Sequence, residues 1–194
     1  KFTSSVFALL LCCPSRISEI LALPADCEIT QIDGKGIERY GLRFYSVKGY
    51  GPNIKWIPRV MIPVAKKAIR RLLSLSQNAR ALAHWCEKYP DKFYRHELCP
   101  TVDEKAKLTV VQVCQALGYN LFDHKSCVLK IKRTSLDGGK SFLNHNDYNY
   151  SLSNLWEIIS SNFSRDFPWY DKEKSIKFSN ALCLLNTDQF SLSR

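Results

Sequence analysis

The chain has 194 residues, of which 45% are hydrophobic and 12% aromatic, and its formal net charge is +10. This much core-forming material suits one or two small globular domains and excludes disorder as the default state. No apolar run reaches the roughly 20 residues that a bilayer crossing needs, so we expect a cytoplasmic protein with no membrane partner.

Two helices are predicted at the start of the chain. Apolar residues at helical spacing predict the first over residues 3–13, and Pro14 then breaks it. Ser15 is placed to cap a second helix, which Pro24 ends. The arginine and the glutamate of this second helix, Arg16 and Glu19, are three residues apart in an otherwise apolar run. Taken alone, they could be an ordinary surface ion pair.

Three extended segments follow these helices. Their residues alternate or are rich in aromatic and β-branched types, over 27–32, 40–47 and 54–62. The sequence DGKG at 33–36 supplies the first turn, and the second lies at 48–53. These segments predict a small three-stranded antiparallel sheet with a hairpin tip near Lys48.

Helices dominate the rest of the prediction. Pro63 is well placed in the first turn of a helix, and further helix is predicted over 78–89. Beyond Pro90, turn-rich stretches separate three short helical candidates, at 109–117, 152–159 and 175–185. We therefore predict an α+β fold, mainly α, with helices around the small sheet. Residues 1–90 are expected to form one domain and residues 91–194 an α-rich insertion or expansion.

Positive charge is concentrated in one span of the sequence. Between Arg39 and Arg71 there are nine basic residues and no acidic one, interleaved with aromatic residues. An ordinary solvated surface mixes both signs, so this span favours a polyanionic partner, of which nucleic acid is the commonest. An incidental basic surface is the alternative.

The eight cysteines are expected to be reduced, buried and without a metal. The nearest approach to a zinc pattern is Cys86, His96 and Cys99, but the sequence contains no CxxC and shows no fourth ligand. No metal ion and no other cofactor is expected.

A weaker nucleic-acid signal lies in the second half of the chain. The sequence LTVVQVCQALGY, at 108–119, resembles the first helix and glycine turn of a helix-turn-helix. The next predicted helix begins only near residue 151, too far for the usual tight turn, and many unrelated helices share the pattern.

Several motifs together resemble a known family. The sequences SRISEILAL, DCEI and RFYSVKGYGPNIKWIPRVMIP occur in this order, as in the front half of the catalytic domain of tyrosine recombinases, the phage integrase family. That family shows an R-x-S-E-x-x-x-L helix, a following Asp, and a hairpin with Lys-Gly at its tip. The resemblance covers residues 6 to about 75 and fades after residue 90. It implies the recombinase catalytic fold.

The resemblance also implies roles for individual residues. Arg16 would be the first catalytic arginine, which grips the scissile phosphate, and Glu19 would orient its guanidinium. Lys48 would be the hairpin lysine, the general acid that protonates the leaving 5′ oxygen, with Lys55 as its rival. The expected DNA-binding residues are Arg43, Lys55, Arg59, Lys66, Lys67, Arg70 and Arg71.

The resemblance implies a site-specific recombinase that cuts and rejoins double-stranded DNA through a 3′-phosphotyrosyl intermediate, as a tetramer when complete. The setting would be DNA integration by a mobile element. None of the four histidines is followed three residues later by the arginine of the family's His-x-x-Arg motif, and no tyrosine lies in a matching segment. We therefore expect a piece of a longer enzyme that does not cleave DNA alone. The alternatives are a non-catalytic DNA-binding or regulatory protein and a cytosolic interaction module.

Overall fold

The computed structural model describes residues 1–45, 52–133, 149–161 and 163–184. The fold is α+β, with a small three-stranded antiparallel sheet, as predicted. The chain divides into two compact units, described separately below. Unit 1 comprises Lys1–His84 and Arg165–Asn186, and unit 2 comprises Trp85–Ser164 and Thr187–Arg194.

Unit 1 begins with the two predicted helices. Helix α1 spans Phe2–Cys12 and α2 spans Ile17–Leu21. The residue that precedes α2 and caps its start is Arg16, so the prediction of Ser15 as the cap was wrong. The reason is local, because Glu19 accepts a hydrogen bond from the backbone N–H of Arg16 and thereby fixes where the helix starts.

The sheet of unit 1 has three strands in sequence order. Strand β1 spans Glu28–Ile32, β2 spans Glu38–Tyr45 and β3 spans Pro52–Trp56, and both neighbouring pairs are antiparallel. The predicted strand over 54–62 was too long, because after Trp56 the chain turns into a 3₁₀ helix at Arg59–Met61. Pro58 carries no N–H for a sheet ladder, and its carbonyl accepts the first hydrogen bond of that turn.

The predicted turn at 33–36 joins β1 to β2. Asp33 Oδ1 accepts hydrogen bonds from the backbone N–H groups of Lys35 (2.9 Å) and Ile37 (3.0 Å). Gly36 adopts φ 74°, a conformation that favours glycine. The predicted tip of the second hairpin, with Lys48, lies outside the described residues.

Helix α3 is one continuous element, Ile62–Lys88, where the sequence suggested two helical stretches. Its buried stripe includes Ala65, Ala68, Ile69 and Leu72, as the apolar spacing predicts. These side chains belong to the same core as α1, α2 and the sheet. The boundary between the two units falls within α3, after His84.

The last described residues of unit 1 are not the helix that was predicted over 175–185. They form strand β4 (Trp169–Asp171), strand β5 (Ile176–Lys177) and a 3₁₀ helix at Phe178–Asn180. Backbone hydrogen bonds to the end of α2 and the loop after it override the local pattern, namely Leu182 N to Leu23 O (2.9 Å) and Ala25 N to Asn180 O (2.8 Å). Through these bonds the segment 165–186 belongs to the same compact unit as the first 84 residues. The compact units are therefore not divided at residue 90, where the sequence suggested a domain boundary.

In its described residues, unit 2 contains three further helices. Helix α4 spans Val110–Ala116, α5 spans His124–Arg133 and α6 spans Leu152–Ser160. Helices α4 and α6 were predicted, whereas α5 was missed. The buried indole of Trp156 on α6 donates a hydrogen bond to Pro90 O at 2.6 Å, which anchors this helix.

The eight cysteines are free thiols, and seven of them are buried, which confirms the predicted burial. Burial raises the pKa of the four most affected thiols to about 12, at Cys27, Cys86, Cys114 and Cys183. Within the described ranges, no group of three or more His, Cys, Asp or Glu side chains is arranged to hold a metal ion. His96, from the weak zinc pattern, instead donates through Nε2 to Ala116 O at 3.0 Å.

No helix in the described part of the chain is long and apolar enough to cross a membrane.

Candidate phosphate site and nucleic-acid interface

Arg16 lies at the surface of unit 1, in the extended residue that precedes α2. Its backbone has φ −77° and ψ 150°, and its side chain is exposed. Within the described part of the chain, the guanidinium takes part in no hydrogen bond or ion pair. It is therefore available to an anion from solvent.

Glu19 is held by two donors at a single carboxylate oxygen. Its Oε2 accepts a hydrogen bond from the backbone N–H of Arg16 at 2.9 Å and another from Lys55 Nζ at 3.0 Å. The bond from the Arg16 N–H, followed by the bond from Lys55, holds the pKa of this carboxyl below its ordinary value. The sequence led us to expect Glu19 on the guanidinium, but the structure places it on the backbone of the same residue.

Lys55 completes this cluster from the sheet. It lies on β3 opposite Leu42, and its ammonium donates hydrogen bonds of 3.0 Å to Pro14 O, Ser15 Oγ and Glu19 Oε2. The ammonium also lies 4.6 Å from the centre of the Phe44 ring. Lys55 thus ties the edge strand β3 to the loop that carries Arg16.

The predicted catalytic residues are therefore only partly brought together. Arg16 and Glu19 are adjacent, and Lys55, which we expected only as a DNA contact or a rival acid, joins them. The position of Lys48 lies outside the described residues. Sequence reasoning missed the link from Lys55 to the loop because the link depends on the register of β3 against β2, although β3 itself was predicted.

The other predicted DNA-binding residues of unit 1 lie on β2, the 3₁₀ helix and α3. Arg43 on β2 is half-buried, and Arg59 is exposed. The four basic residues in the first half of α3 are all exposed, namely Lys66, Lys67, Arg70 and Arg71.

Two of the α3 side chains are held by neighbours. The Lys66 ammonium lies 5.0 Å from the centre of the Tyr40 ring. The Arg70 Nε donates to Lys66 O at 3.3 Å. Lys67, Arg70 and Arg71 line a surface depression of about 640 Å³. This concave basic surface has the charge and shape to receive phosphate groups.

Little of this positive charge is neutralised inside the chain. Among the basic residues that the structure describes between Arg39 and Arg71, only Arg39 and Lys55 form ion pairs, with Asp33 and Glu19 respectively. The uncompensated charge makes this region attractive to a polyanion.

Comparison of the chain with protein-family models, curated proteins and solved structures found no match. The geometry and charge of unit 1, together with the residue pattern of the sequence, are thus the basis for a functional proposal.

Proposed function

We propose that the chain is part of a tyrosine-type site-specific DNA recombinase, or integrase, of a mobile element. The observation that carries the proposal is the exposed guanidinium of Arg16, beside a loop that Lys55 and Glu19 hold in place. The order of elements in unit 1, with α2, a three-stranded antiparallel sheet and the long helix α3, supports the recombinase catalytic fold. The partner is double-stranded DNA, bound by a tetramer of the complete protein.

The role proposed for Arg16 is to bind the scissile phosphate. A planar guanidinium donates two parallel hydrogen bonds to non-bridging phosphate oxygens and stabilises the charge that develops in the transition state. Because Glu19 binds the backbone of Arg16, no ion pair of the guanidinium has to break before a phosphate binds. Glu19 holds the position of Arg16 through the backbone N–H, and its negative charge also interacts favourably with the positive charge of Arg16.

Lys48 remains the proposed general acid, on the sequence pattern alone. The three acceptors around the Lys55 ammonium support a different role for Lys55, because two of them belong to the loop before Arg16. The sequence contains no His-x-x-Arg motif. The proposal is accordingly that these 194 residues bind phosphate but do not cleave DNA alone.

Nuclear magnetic resonance of the arginine Nε–H groups tests the phosphate-binding role. Titration with duplex DNA at low salt is expected to shift the Arg16 resonance, which is assigned by its loss in the Arg16→Lys variant. Arg95 is the internal control, because its guanidinium already donates to two backbone carbonyls of unit 2. DNA binding that leaves the Arg16 resonance unmoved would overturn the assignment.

A second experiment tests the chemistry in a longer polypeptide that includes the natural downstream sequence. Arg16→Ala is expected to abolish covalent DNA–protein adducts while most of the DNA binding remains. Adducts that persist in this variant would show that Arg16 is not catalytic.

The alternative function is a non-catalytic DNA-binding or regulatory protein. It gains support from α5, because the next helix after α4 begins at His124 rather than near residue 151, and the glycine of the connection, Gly118, has φ 81°. If the longer polypeptide binds DNA but never forms an adduct, this alternative is favoured over the recombinase.

A further inference from the structure

Unit 2 contains a second segment with a strong excess of positive charge. Residues 105–133 include six lysines and arginines and one acidic residue, Asp123. The Asp123 carboxylate lies at the start of α5, where Oδ1 accepts a hydrogen bond from Ser126 N at 2.8 Å. Helix α5 itself contains four basic residues and no acidic one.

Helix α5 has distinct buried and exposed sides. Cys127 and Ile131 are fully buried, whereas Lys125, Leu129 and Lys130 are exposed. Leu129, near the centre of the helix, is 54% exposed. The exposed side therefore combines positive charge with one central apolar residue.

Helix α4 holds α5 in place from its buried side. The Cys114 thiol donates to the carbonyl of Cys127 at 3.6 Å, so the two helices are in direct contact. Thr109 and Gln112 cap the start of α4 reciprocally, with Thr109 N donating to Gln112 Oε1 at 2.8 Å and Gln112 N donating to Thr109 Oγ1 at 3.3 Å. The two helices thus form a supported pair rather than isolated short segments.

The side chain of Lys130 is also constrained. Its ammonium lies 4.6 Å from the centre of the Tyr119 ring. A lysine whose side chain is already ordered loses less side-chain entropy when it contacts a phosphate.

From these observations we infer that the exposed face of α5, with Leu129 at its centre and Lys125 and Lys130 beside it, is a second binding surface for double-stranded DNA. The ten residues of α5 form a rod about 15 Å long, and an α-helix fits the B-DNA major groove, which is about 12 Å wide. The lysines contact phosphate oxygens, and Leu129 packs against base or sugar carbon atoms. This surface is separate from the Arg16 site and does not depend on strand transfer.

The composition of the face favours DNA over other partners. Lysine is depleted in protein–protein interfaces relative to the rest of the surface, whereas two of the three residues named on this face are lysines. A membrane-surface helix needs a continuous apolar face, whereas α5 exposes a single leucine between lysines. A duplex, with its regular array of phosphates, matches the observed charge.

The test measures the binding of a fluorescent mixed-sequence DNA duplex to the whole chain over a range of salt concentrations. Loss of two phosphate contacts in the variant Lys125→Gln/Lys130→Gln is expected to reduce the slope of log affinity against log salt by about 1.8. The affinity advantage of the wild type over this variant then falls about 12-fold between about 50 and about 200 mM salt. The control is Lys35→Gln/Lys172→Gln, which removes the same charge from two exposed lysines in turns of unit 1.

A second variant, Leu129→Glu, places a negative charge at the centre of the face and is expected to weaken binding more than the control does. Circular dichroism melting establishes that each variant is folded. Equal slopes for the two lysine pairs, wild-type affinity of Leu129→Glu, or stronger competition by duplex RNA than by duplex DNA would each overturn the inference. A shift of the Arg16 resonance with DNA together with any of these results would leave the Arg16 proposal intact.

Discussion

Replacement of Lys55 by methionine isolates the contact that joins the sheet to the Arg16 loop. Methionine keeps an unbranched apolar stem beside Phe44 but removes the ammonium and its three hydrogen bonds. We expect the variant to fold with lower stability and with the loop before α2 less firmly held.

The expected loss follows from the exposure of the partners. A hydrogen bond that involves a charged group contributes about 1.5 to 3 kcal/mol when buried, and an exposed ion pair contributes about 0 to 1 kcal/mol. Lys55 is 24% exposed and Glu19 39% exposed, so water replaces part of what is lost. We therefore expect the free energy of unfolding to fall by about 1 to 2 kcal/mol at neutral pH.

The pH dependence of this loss has a definite sign. The pKa of Glu19 is lowered in the folded chain, so its ionised form stabilises the fold above the ordinary value of 4.5, and this contribution disappears as the pH falls through the folded pKa. In Lys55→Met the pKa of Glu19 should rise but stay below 4.5, because the bond from the Arg16 N–H remains. The stability difference between wild type and variant should therefore shrink below pH 4.5.

Urea unfolding at neutral and acidic pH measures the stability difference, and carboxyl carbon resonances report the titration of Glu19. The matched control is Lys35→Met, a change at an exposed turn lysine. If Lys55→Met leaves both the stability and the pKa of Glu19 as in the wild type, the bridge from the sheet to the loop does not contribute in solution. The positioning of Arg16 would then need another explanation.

Three further predictions concern the packing within the two units. A Cβ at Gly41 would lie 2.9 Å from the backbone of β3, so Gly41→Ala should lower the free energy of unfolding by about 1 to 3 kcal/mol in urea titrations. The control is Gly34→Ala, whose added Cβ meets nothing within 4 Å and should change this free energy little. Burial and a hydrogen bond to Glu28 raise the pKa of Tyr40 above its ordinary 10.0. Ultraviolet titration of the folded chain should therefore show the same absorbance change near pH 10 for the wild type and for Tyr40→Phe, because Tyr40 does not ionise there. Cys99 is the cysteine that is not buried, so a thiol reagent should modify it faster than the other seven, although partial burial raises the pKa of this thiol as well, and the fastest phase should be absent in Cys99→Ser.

The sequence was most informative where local pattern and tertiary structure agree. The proline after α1, the Asp-Gly turn at 33–36 and the apolar stripe of α3 each have a local cause, and these elements were predicted. The segment 175–185 has helical apolar spacing, but pairing with the loop after α2 gives it strands and a 3₁₀ helix instead. Helix α5 was missed because lysines interrupt its few apolar residues, so no helical periodicity stands out in the sequence. Its contact with α4 supports the helix, and a single-sequence pattern does not reveal that contact.

The candidate site shows the same division between local and long-range causes. The spacing of Arg16 and Glu19 correctly indicated that the two residues lie close together, but only Glu19 is in α2, and Arg16 is the extended residue before it. Their actual contact runs through the backbone N–H of Arg16, and Lys55, 36 residues beyond Glu19, donates a second hydrogen bond to the same carboxylate oxygen. Such a contact requires the strand register, which single-sequence patterns do not determine.

The buried thiols also give the molecule a set of internal sensors of local opening. Four of them lie in unit 1 and three in unit 2, so each unit contains groups that a thiol reagent reaches only when its surroundings open. In a Cys99→Ser background, the rate of modification at each position converts into the free energy of the opening that exposes it. The two units can thus be compared, position by position, for whether they open separately or together, under conditions where the chain is almost entirely native.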